Sequence, residues 1–330
     1  MSSKKILCFG ELLLRLSPKD NWVGNHNMPF YIGSTELNVA VALANWAIPV
    51  RYLTALPYNY LSKQLIEFLG SKNIVTSAVN FSGKRIGIYY LPFGNEIQHQ
   101  GVIYDRANSS FSELKPGMID WDEVLSDCGW FHFSAISVAL SDEIASLCKQ
   151  ALEVCAAKNL TISIDLNYRS KLWQPGRRPV DVMPALVEYC DVIMGNIWSA
   201  ESLLGIDSPI ESSAGKSQGQ LLDAANESIN NLHASFPKAK TLAYTYRLQN
   251  SYLAAIQHEN NWAVSNQLEC ANVVDKVGSG DCFMAGLIYG LCNNHDTKDI
   301  VDFAAIAAAG KLQEAGDYTN QTIESINKKR

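Results

Sequence analysis

Apolar runs alternate with amphipathic stretches along the chain. In the first quarter, short apolar runs at 6–10 and 50–57 predict strands, whereas 35–47 and 60–73 repeat apolar residues at helical spacing. Strands that alternate with helices are typical of a parallel sheet covered by helices on both faces. The pattern therefore predicts an α/β fold.

The same alternation continues through the second half of the chain. The predicted strands lie at 130–136, 160–167, 191–196 and 242–247, and the predicted helices lie near 142–157 and 180–189. The sequence contains no internal repeat. We therefore predict one doubly wound domain that spans residues 1–330.

Three regions depart from this order. Residues 11–34 and 84–110 contain short alternating segments joined by turn residues, which predict a small β-sheet flap inserted into the α/β body. Residues 205–219 are rich in Gly, Ser and Pro and predict a surface loop.

Composition and charge narrow the class of partner. The chain has 330 residues, of which 47% are hydrophobic, so it is long enough to bury a large core. Its formal net charge is −6 at pH 7 and its pI is about 5.6, which gives no basic surplus for nucleic-acid phosphates or anionic lipid. We expect a small-molecule partner, with no nucleic acid and no membrane.

Cysteine placement and hydropathy indicate a cytoplasmic protein. The eight cysteines lie singly in apolar stretches without a CxxC pair, which predicts buried, reduced thiols. Glu11 and Arg15 interrupt the apolar run near the N-terminus, and no uncharged segment approaches the length of a membrane span, about 18 residues.

Two common nucleotide-binding patterns are missing. The segment AGKSQG at 214–219 would need glycine at Ile210 to complete a Walker A loop. No G-x-G-x-x-G follows the first predicted strand. The sequence therefore supports neither a P-loop NTPase nor a nicotinamide oxidoreductase.

The segment DKVGSGDCF at 275–283 places a carboxylate on each side of a glycine-rich turn that opens an apolar helical stretch. Gly278 and Gly280 leave the backbone free to point successive N–H groups one way, and a helix N-terminus favours an anion. Asp281 has two interpretations: a helix cap, or a base beside a phosphoryl group. The turn alone does not distinguish them.

This turn resembles the second signature of the ribokinase-like (PfkB) carbohydrate kinases, and GSTELNVAVALA at 33–44 resembles their first signature. The resemblance covers essentially the whole chain. It implies a three-layer α/β/α fold with a mostly parallel central sheet and a small β-sheet flap, and it implies ATP and Mg²⁺ as cofactors.

The resemblance also assigns roles to the two signatures. Asp281 is the expected base, and the N–H groups of Gly278, Ser279 and Gly280 form the expected anion hole. The expected sugar contacts are Gly33, Ser34 and Asn38. Ser34 and Ser279 depart from the family pattern, which has glycine and alanine there, and Ser279 suits the turn only if its φ is negative.

Three further stretches resemble 2-keto-3-deoxygluconate (KDG) kinases. They carry Tyr89, Tyr104, Arg106 and Arg169 at positions that contact a sugar acid in those enzymes. Arginines suit the carboxylate of such a substrate, and tyrosines offer a flat wall with a polar tip. The alternative for the tyrosines is flap packing, for Arg106 a solvated charge, and for Arg169 an ion pair.

The resemblance places the nucleotide near a further set of residues. These are Asn196, Thr245, Arg247, Lys276, Gly278 and Gly280. The family's N-x-x-E motif begins at Asn196, but Ser199 replaces its glutamate, and Glu201 two residues later would face elsewhere on a helix. The metal ligands are therefore unknown from the sequence.

These observations predict a kinase that transfers the γ-phosphoryl group of MgATP to a hydroxyl of a small sugar or sugar acid, with KDG as the leading candidate. One alternative is a fructokinase or another neutral-sugar kinase. A second is a catalytically degenerate sensor that binds sugar or nucleotide. We also expect a homodimer that forms through the flap.

Overall fold

The computed structural model describes residues 4–18, 24, 26–92, 101–173, 177–248 and 250–330. Most of its strands are the short apolar runs of the sequence. In chain order they are β1 Lys5–Phe9, β2 Leu13–Leu16, β3 Phe30–Gly33, β4 Val50–Leu53, β5 Ala55–Leu56, β6 Ile74–Val75, β7 Asn80–Phe81, β8 Gly87–Tyr90, β9 Ile103–Asp105, β10 Cys128–Ser134, β11 Thr161–Asp165, β12 Val192–Gly195, β13 Thr241–Arg247, β14 Ser251–His258, β15 Asn261–Val264 and β16 Leu268–Glu269.

The helices follow the amphipathic stretches, and many begin at a polar side chain that accepts a backbone N–H of the first turn. In chain order they are α1 Thr35–Asn45, α2 Tyr60–Ser71, α3 Trp121–Val124, α4 Ala135–Val138, α5 Asp142–Ala157, α6 Pro179–Val182, α7 Pro184–Val187, α8 Ile197–Leu204, α9 Gln218–Ser235, α10 Ser279–Cys292, α11 Thr297–Lys311 and α12 Ile323–Asn327.

The main sheet has ten strands in the order β15-β14-β13-β12-β11-β10-β1-β4-β6, with β16 paired to β14. The seven strands from β13 to β6 pair in parallel, and β14 and β15 add an antiparallel edge. The chain runs outward from β1 through β4 to β6 and then returns to β10 on the other side of β1. A crevice forms where the order reverses, at the carboxyl ends of the strands.

Successive residues of the central strand β1 face opposite layers. Leu7 and Phe9 pack in one hydrophobic cluster, with helices α5, α8 and α9. Ile6 and Cys8 pack in the other, with helices α1, α10 and α11. Because side chains alternate along a strand, one apolar run supplies both sides of the sheet. The predicted three-layer α/β/α fold is confirmed.

The second sheet is the flap, with the strand order β3-β2-β8-β9. Its strands all come from the predicted segments 11–34 and 84–110, although residues 19–23, 25 and 93–100 of those segments lie outside the described residues. Strand β2 pairs antiparallel with β3 and parallel with β8, and β8 pairs antiparallel with β9. The prediction of a small flap sheet is confirmed.

Two predicted elements differ from the structure. The run 50–57 is two strands because β5 leaves the main sheet to pair with β7. The helix near 180–189 is two short helices, since Pro184 lacks the N–H that a continuous helix requires.

The cysteines are all free, as predicted, and seven of them are buried. Cys292 is the exception: it is exposed because it ends α10, where the chain turns into Asn293 and Asn294. Across the described residues, the helices include none that combines the length and the apolarity needed to cross a membrane.

Candidate active site

A cavity of about 500 Å³ opens at the carboxyl ends of the parallel strands. Asp165 ends β11, and Gly195 and Asn196 end and follow β12; all three line the cavity. Glu11, which follows β1 closely, lines it as well. The cavity therefore lies at the edge of the sheet where parallel α/β folds usually place ligands.

This cavity collects nearly every residue that the sequence proposed for the site. Those that line it are Ser34, Asn38, Tyr89, Tyr104, Arg106, Arg169, Asn196, Thr245, Arg247, Lys276, Gly278, Ser279, Gly280 and Asp281. Gly33 is different: it is not among the lining residues, and a Cβ there would overlap the carboxylate of Asp317. The missing side chain at Gly33 makes room for that carboxylate.

The turn before α10 has the backbone geometry of an anion site. Gly278 precedes the helix with φ 79°, in the left-handed region, and a Cβ there would overlap the carbonyl oxygen of Asp317. Ser279 is the first helical residue and its hydroxyl donates to the Ala308 carbonyl at 3.1 Å, so it fits without strain. Gly280 lines the cavity with open space beside it. The first N–H groups of α10 have no partner within the helix.

Asp281 lies in the first turn of α10 and is buried. It is not the helix cap, because Gly278 holds that position and the Asp281 carboxylate accepts the side-chain N–H of Asn38 at 2.6 Å. Burial raises the pKa of Asp281 well above its usual value, and the charge of Asp165 adds to the effect, while Asn38 opposes it. The two signature motifs thus meet at one hydrogen bond.

Ser34 begins α1 with extended backbone, φ 173°, so replacing glycine here costs no strain. Its hydroxyl donates to Glu36 and accepts from the Tyr52 hydroxyl, at 3.1 Å in each case. Glu36 also accepts hydroxyls from Ser134 at 2.6 Å and Ser137 at 3.0 Å. Burial raises the pKa of Glu36, and these hydroxyls oppose the rise.

Asp165 faces the same cavity from the end of β11 and is 4% exposed. Burial raises its pKa to about 7; the charge of Arg169 opposes the rise and Glu36 adds to it. A carboxylate with this pKa is sensitive to any cation placed beside it. The cavity wall therefore carries a titratable group in addition to Asp281.

Tyr89 and Tyr104 form the flap side of the cavity. They pair across β8 and β9, and their ring centroids lie 6.5 Å apart with a tilt of 36°. The Tyr89 hydroxyl donates to Asp317 Oδ2 at 2.7 Å. The two rings make an aromatic wall, with one hydroxyl already engaged by a carboxylate.

Arg106 is buried, and its Nε donates to Glu11 Oε2 at 2.6 Å. Glu11 also accepts the hydroxyl of Ser109. The interpretation of Arg106 as a solvated charge is wrong, because it is 5% exposed and ion-paired. Its positive charge is balanced within the protein.

Arg169 has the opposite environment. It is exposed, lines the cavity, and donates to the carbonyl of Tyr168 at 2.9 Å. Within the described residues it forms no ion pair with a carboxylate at 4.0 Å or less. Among the described residues nothing supports the alternative of an internal ion pair for Arg169, and its side chain faces the cavity.

The predicted nucleotide residues line the same cavity. Asn196 caps α8 by accepting the N–H of Ser199 at 2.9 Å. Arg247 on β13 donates to the Lys276 carbonyl at 3.3 Å, which ties that strand to the glycine-rich turn. Glu201 is exposed and is not among the residues that line the cavity, in agreement with its expected position on the helix.

Sequence reasoning missed several charged residues of the site. Glu11 and Asp165 had a signal, since each lies at or just after the carboxyl end of a predicted parallel strand. The ion pairs of Arg15 with Asp275 and Asp317 had none, because they join segments up to 302 positions apart. Among the described residues, no three His, Cys, Asp or Glu side chains are grouped closely enough to hold a metal ion.

Comparison with known proteins agrees with this geometry. Residues 3–324 match the model of the pfkB family of carbohydrate kinases. The chain belongs to this family. It is a sugar kinase, and PfkB kinases use ATP as the phosphoryl donor.

Three further similarities are to named kinases. The crystal structure of a 2-dehydro-3-deoxygluconokinase from Thermotoga maritima has a TM-score of 0.89 and 32% sequence identity, covering 98% of each chain. A 2-dehydro-3-deoxygalactonokinase of Haloferax volcanii is 24% identical over 98% of this chain and 96% of its own length. A fructokinase of Rhizobium leguminosarum bv. trifolii is 25% identical over 87% of this chain and 79% of its own.

Proposed function

We propose that this kinase transfers the γ-phosphoryl group of ATP to a hydroxyl of 2-keto-3-deoxygluconate, the compound also called 2-dehydro-3-deoxygluconate. The 32% identity to the Thermotoga maritima enzyme supports a substrate of this class. The identity to a fructokinase keeps a neutral sugar as the second candidate.

The observation that carries the proposal is the different environment of the two arginines. Glu11 neutralises Arg106 at 2.6 Å, so this arginine brings no net charge to the sugar end of the cavity. Arg169 lines the cavity with no carboxylate partner among the described residues. A carboxylate on the substrate would complete that pairing through charge-assisted hydrogen bonds. A neutral sugar would offer Arg169 no such partner.

The chemistry assigned to the chain's own groups follows from the turn before α10. Asp281 takes the proton of the attacking hydroxyl, and its raised pKa makes it a stronger base than an ordinary aspartate. The N–H groups of Gly278, Ser279 and Gly280 stabilise the charge that develops on the transferred group. Asn38 orients the Asp281 carboxylate through their hydrogen bond at 2.6 Å.

The nucleotide lies, in this proposal, along Asn196, Thr245, Arg247 and Lys276, which share the cavity with the glycine-rich turn. Mg²⁺ in nucleotide sites is usually bound by one or two carboxylates together with phosphate oxygens and water. Asp165 fits this preference, because it is a buried carboxylate with no ion-pair partner among the described residues. Asp165 would hold the ion, which would neutralise the phosphates.

The test measures ADP formation from a panel of KDG, 2-keto-3-deoxygalactonate, fructose and ribose. We expect the wild type to turn over KDG with the highest kcat/KM. Asp281→Asn serves as the blank and should lose activity by several orders of magnitude, since the base acts mainly in the transition state. Arg169→Met should raise the KM for KDG by about 10- to 100-fold, the effect of removing one charge-assisted hydrogen-bonding group.

Arg178→Met is the matched control, because Arg178 is exposed, pairs with Asp181 outside the cavity, and undergoes the same chemical change. Turnover of fructose but not KDG, with Arg169→Met unaffected, would establish the neutral-sugar kinase instead. Sugar binding in a thermal shift assay without ADP formation on any member of the panel would favour the degenerate sensor.

We also propose that the protein is a homodimer assembled through the flap. Phe30 on β3 is 58% exposed and Ile103 on β9 is 52% exposed. They lie on the two outer strands of the flap sheet, whose edges offer unpaired backbone groups to a second copy. Pairing of two flaps would cover both the edges and these side chains.

A further inference from the structure

Arg15 is a buried arginine in the middle of the flap sheet. It lies on β2, between β3 and β8, and its side chain is 1% exposed. In register it faces Tyr31 on one neighbouring strand and Tyr89 on the other, and its guanidinium stacks on the Tyr31 ring at 4.4 Å. The side chain is not among those that line the cavity. Any role in the reaction therefore runs through other residues.

The Arg15 guanidinium contacts two buried carboxylates from outside the flap. Nη2 lies 2.7 Å from Asp275 Oδ2, and Nε lies 2.8 Å from Asp317 Oδ1. The first contact is a directed hydrogen bond; the second is a charge contact whose N–H is not aimed at the oxygen. The two carboxylates are 2% and 1% exposed, and this cation contacts both of them.

Asp275 and Asp317 hold the anion-hole turn from its two sides. Asp275 begins the turn and accepts the N–H groups of Val277 at 3.1 Å and Gly316 at 3.2 Å. The backbone carbonyl of Asp317 lies directly against Gly278, so that a Cβ on this glycine would overlap it. A shift of either aspartate would move the N–H groups that face the phosphates.

A second flap residue reaches the same carboxylate. The Tyr89 hydroxyl donates to Asp317 Oδ2 at 2.7 Å, and the Tyr89 side chain lines the sugar end of the cavity. Lys311 is also buried close by, with its side chain against Gly278 and its Nζ donating to the Glu314 carbonyl at 3.0 Å. The flap, the sugar wall and the anion-hole turn therefore share one hydrogen-bonded and ionic group.

We propose that Arg15 is a positioning residue that couples the flap to the anion-hole turn, so that a sugar held under the flap raises the affinity of the site for nucleotide phosphates. If the flap moved away from the turn, two buried carboxylates would lose the guanidinium that contacts both of them, which is costly. The proposal rests on the sugar kinase activity and not on which sugar is used. By linkage, the nucleotide raises the affinity for the sugar by the same factor.

The test measures the affinity of the non-hydrolysable analogue AMP-PNP by calorimetry, with and without a saturating concentration of the sugar that the wild type phosphorylates. The wild type should bind the analogue about 5-fold or more tightly when sugar is present, a common size for coupling between sites. Arg15→Lys keeps the charge but loses the fork that spans two carboxylates, and should bring this ratio close to one.

Arg51→Lys is the matched control. Arg51 lies on β4 and pairs with Asp127 at 2.8 Å, away from the cavity, so its replacement tests for the general loss of an arginine ion pair. It should keep the wild-type ratio. A wild type without coupling, or an Arg15→Lys variant with the wild-type ratio, would overturn the proposal.

Tyr89→Phe provides the measurement if Arg15→Lys does not fold. It removes only the hydroxyl that joins β8 to Asp317. We expect the ratio of the AMP-PNP affinities with and without sugar to fall in this variant. A change in sugar affinity does not affect that ratio, because the sugar is saturating. An unchanged ratio in this variant contradicts the coupling. Turnover of another sugar but not KDG rejects the proposed substrate and leaves this experiment valid with that other sugar.

Discussion

Asp165 is a single residue whose effect on the stability of the fold depends on pH. Burial raises its pKa to about 7, above the ordinary 3.8, even though Arg169 opposes the rise. Well below pH 3.8 the group is protonated in both the folded and the unfolded chain. As the pH rises toward 7 and beyond, the unfolded chain releases its proton more readily, so the folded state loses stability.

Asp165→Asn should therefore stabilise the ligand-free enzyme at pH 8 and have little effect near pH 4. The difference between the two pKa values corresponds to at most about 4 kcal/mol of unfolding free energy. Denaturant unfolding of wild type and variant at both pH values measures it. If the unfolding free energies of variant and wild type differed by the same amount at both pH values, the assignment of this pKa to Asp165 would be contradicted.

Asp127→Asn is the control with the opposite sign. Partial burial acts to raise the pKa of Asp127, but the cations Lys5 and Arg51 outweigh it, so the pKa is lowered. Its contribution is therefore present above pH 4 and lost as the pH falls. This variant should be slightly destabilised at pH 8 and should approach the wild type in acid.

The two arginines illustrate how far residue types predict a site. A positive charge suited to a carboxylate was expected at both Arg106 and Arg169. Only the folded chain distinguishes them, because Glu11 is 95 positions from Arg106 in sequence yet lies 2.6 Å from its Nε. Residue type indicated the chemistry, and the neighbours determined which charge is balanced internally.

At the scale of the element, the turn before α10 assigns different roles to its two glycines. Gly278 has φ 79°, and any Cβ would overlap the Asp317 carbonyl. A Cβ on Gly280 would meet no protein atom within 4 Å and would enter the cavity. Gly278 is therefore required by the conformation of the backbone, whereas Gly280 is required to leave room for a ligand in the cavity.

Gly278→Ala should lower both the thermal unfolding temperature and kcat, because a left-handed alanine is strained by about 1–3 kcal/mol before the overlap is counted. Gly280→Ala should unfold at the wild-type temperature, yet lose kcat or ATP affinity, because its methyl group occupies the place of a phosphate. Scanning calorimetry and steady-state kinetics on both variants provide the comparison. Wild-type kinetics in Gly280→Ala would mean that the phosphates lie elsewhere.

The elements themselves were largely predictable, because burial on both faces produces continuous apolar runs and burial on one face produces helical spacing. The errors arose where tertiary pairing intervenes. Strand β5 separates from β4 only because β7 offers it a different partner. The apolar pattern within 50–57 does not indicate that the run divides into two strands with different partners.

For the whole molecule, the expected single domain over residues 1–330 stays a prediction. Two core clusters on opposite faces of one sheet support it, since neither cluster is closed without the strands they share. The match of residues 3–324 to one family model agrees with that interpretation.

The proposed homodimer is tested by Phe30→Glu, which places a charge on the outer flap strand β3. By light scattering, the wild-type protein should have about twice the mass of one 36.4 kDa chain, and the variant should have the mass of a single chain. Phe81→Glu is the control, because Phe81 is 48% exposed on β7, outside the flap sheet. A monomeric wild type, or the same dissociation in Phe81→Glu, would reject a dimer formed through the flap.

The sequence by itself determined the order of strands and helices, the α/β class and the two signature motifs, because apolar periodicity and glycine-rich turns are local properties of the chain. Only the tertiary structure decided that Glu11 neutralises Arg106, that Asp281 binds Asn38, and that Arg15 joins the flap to the anion-hole turn. Those contacts join residues 95, 243 and 260 positions apart. Charge compensation in a buried site depends on distance in space, which a single sequence does not record.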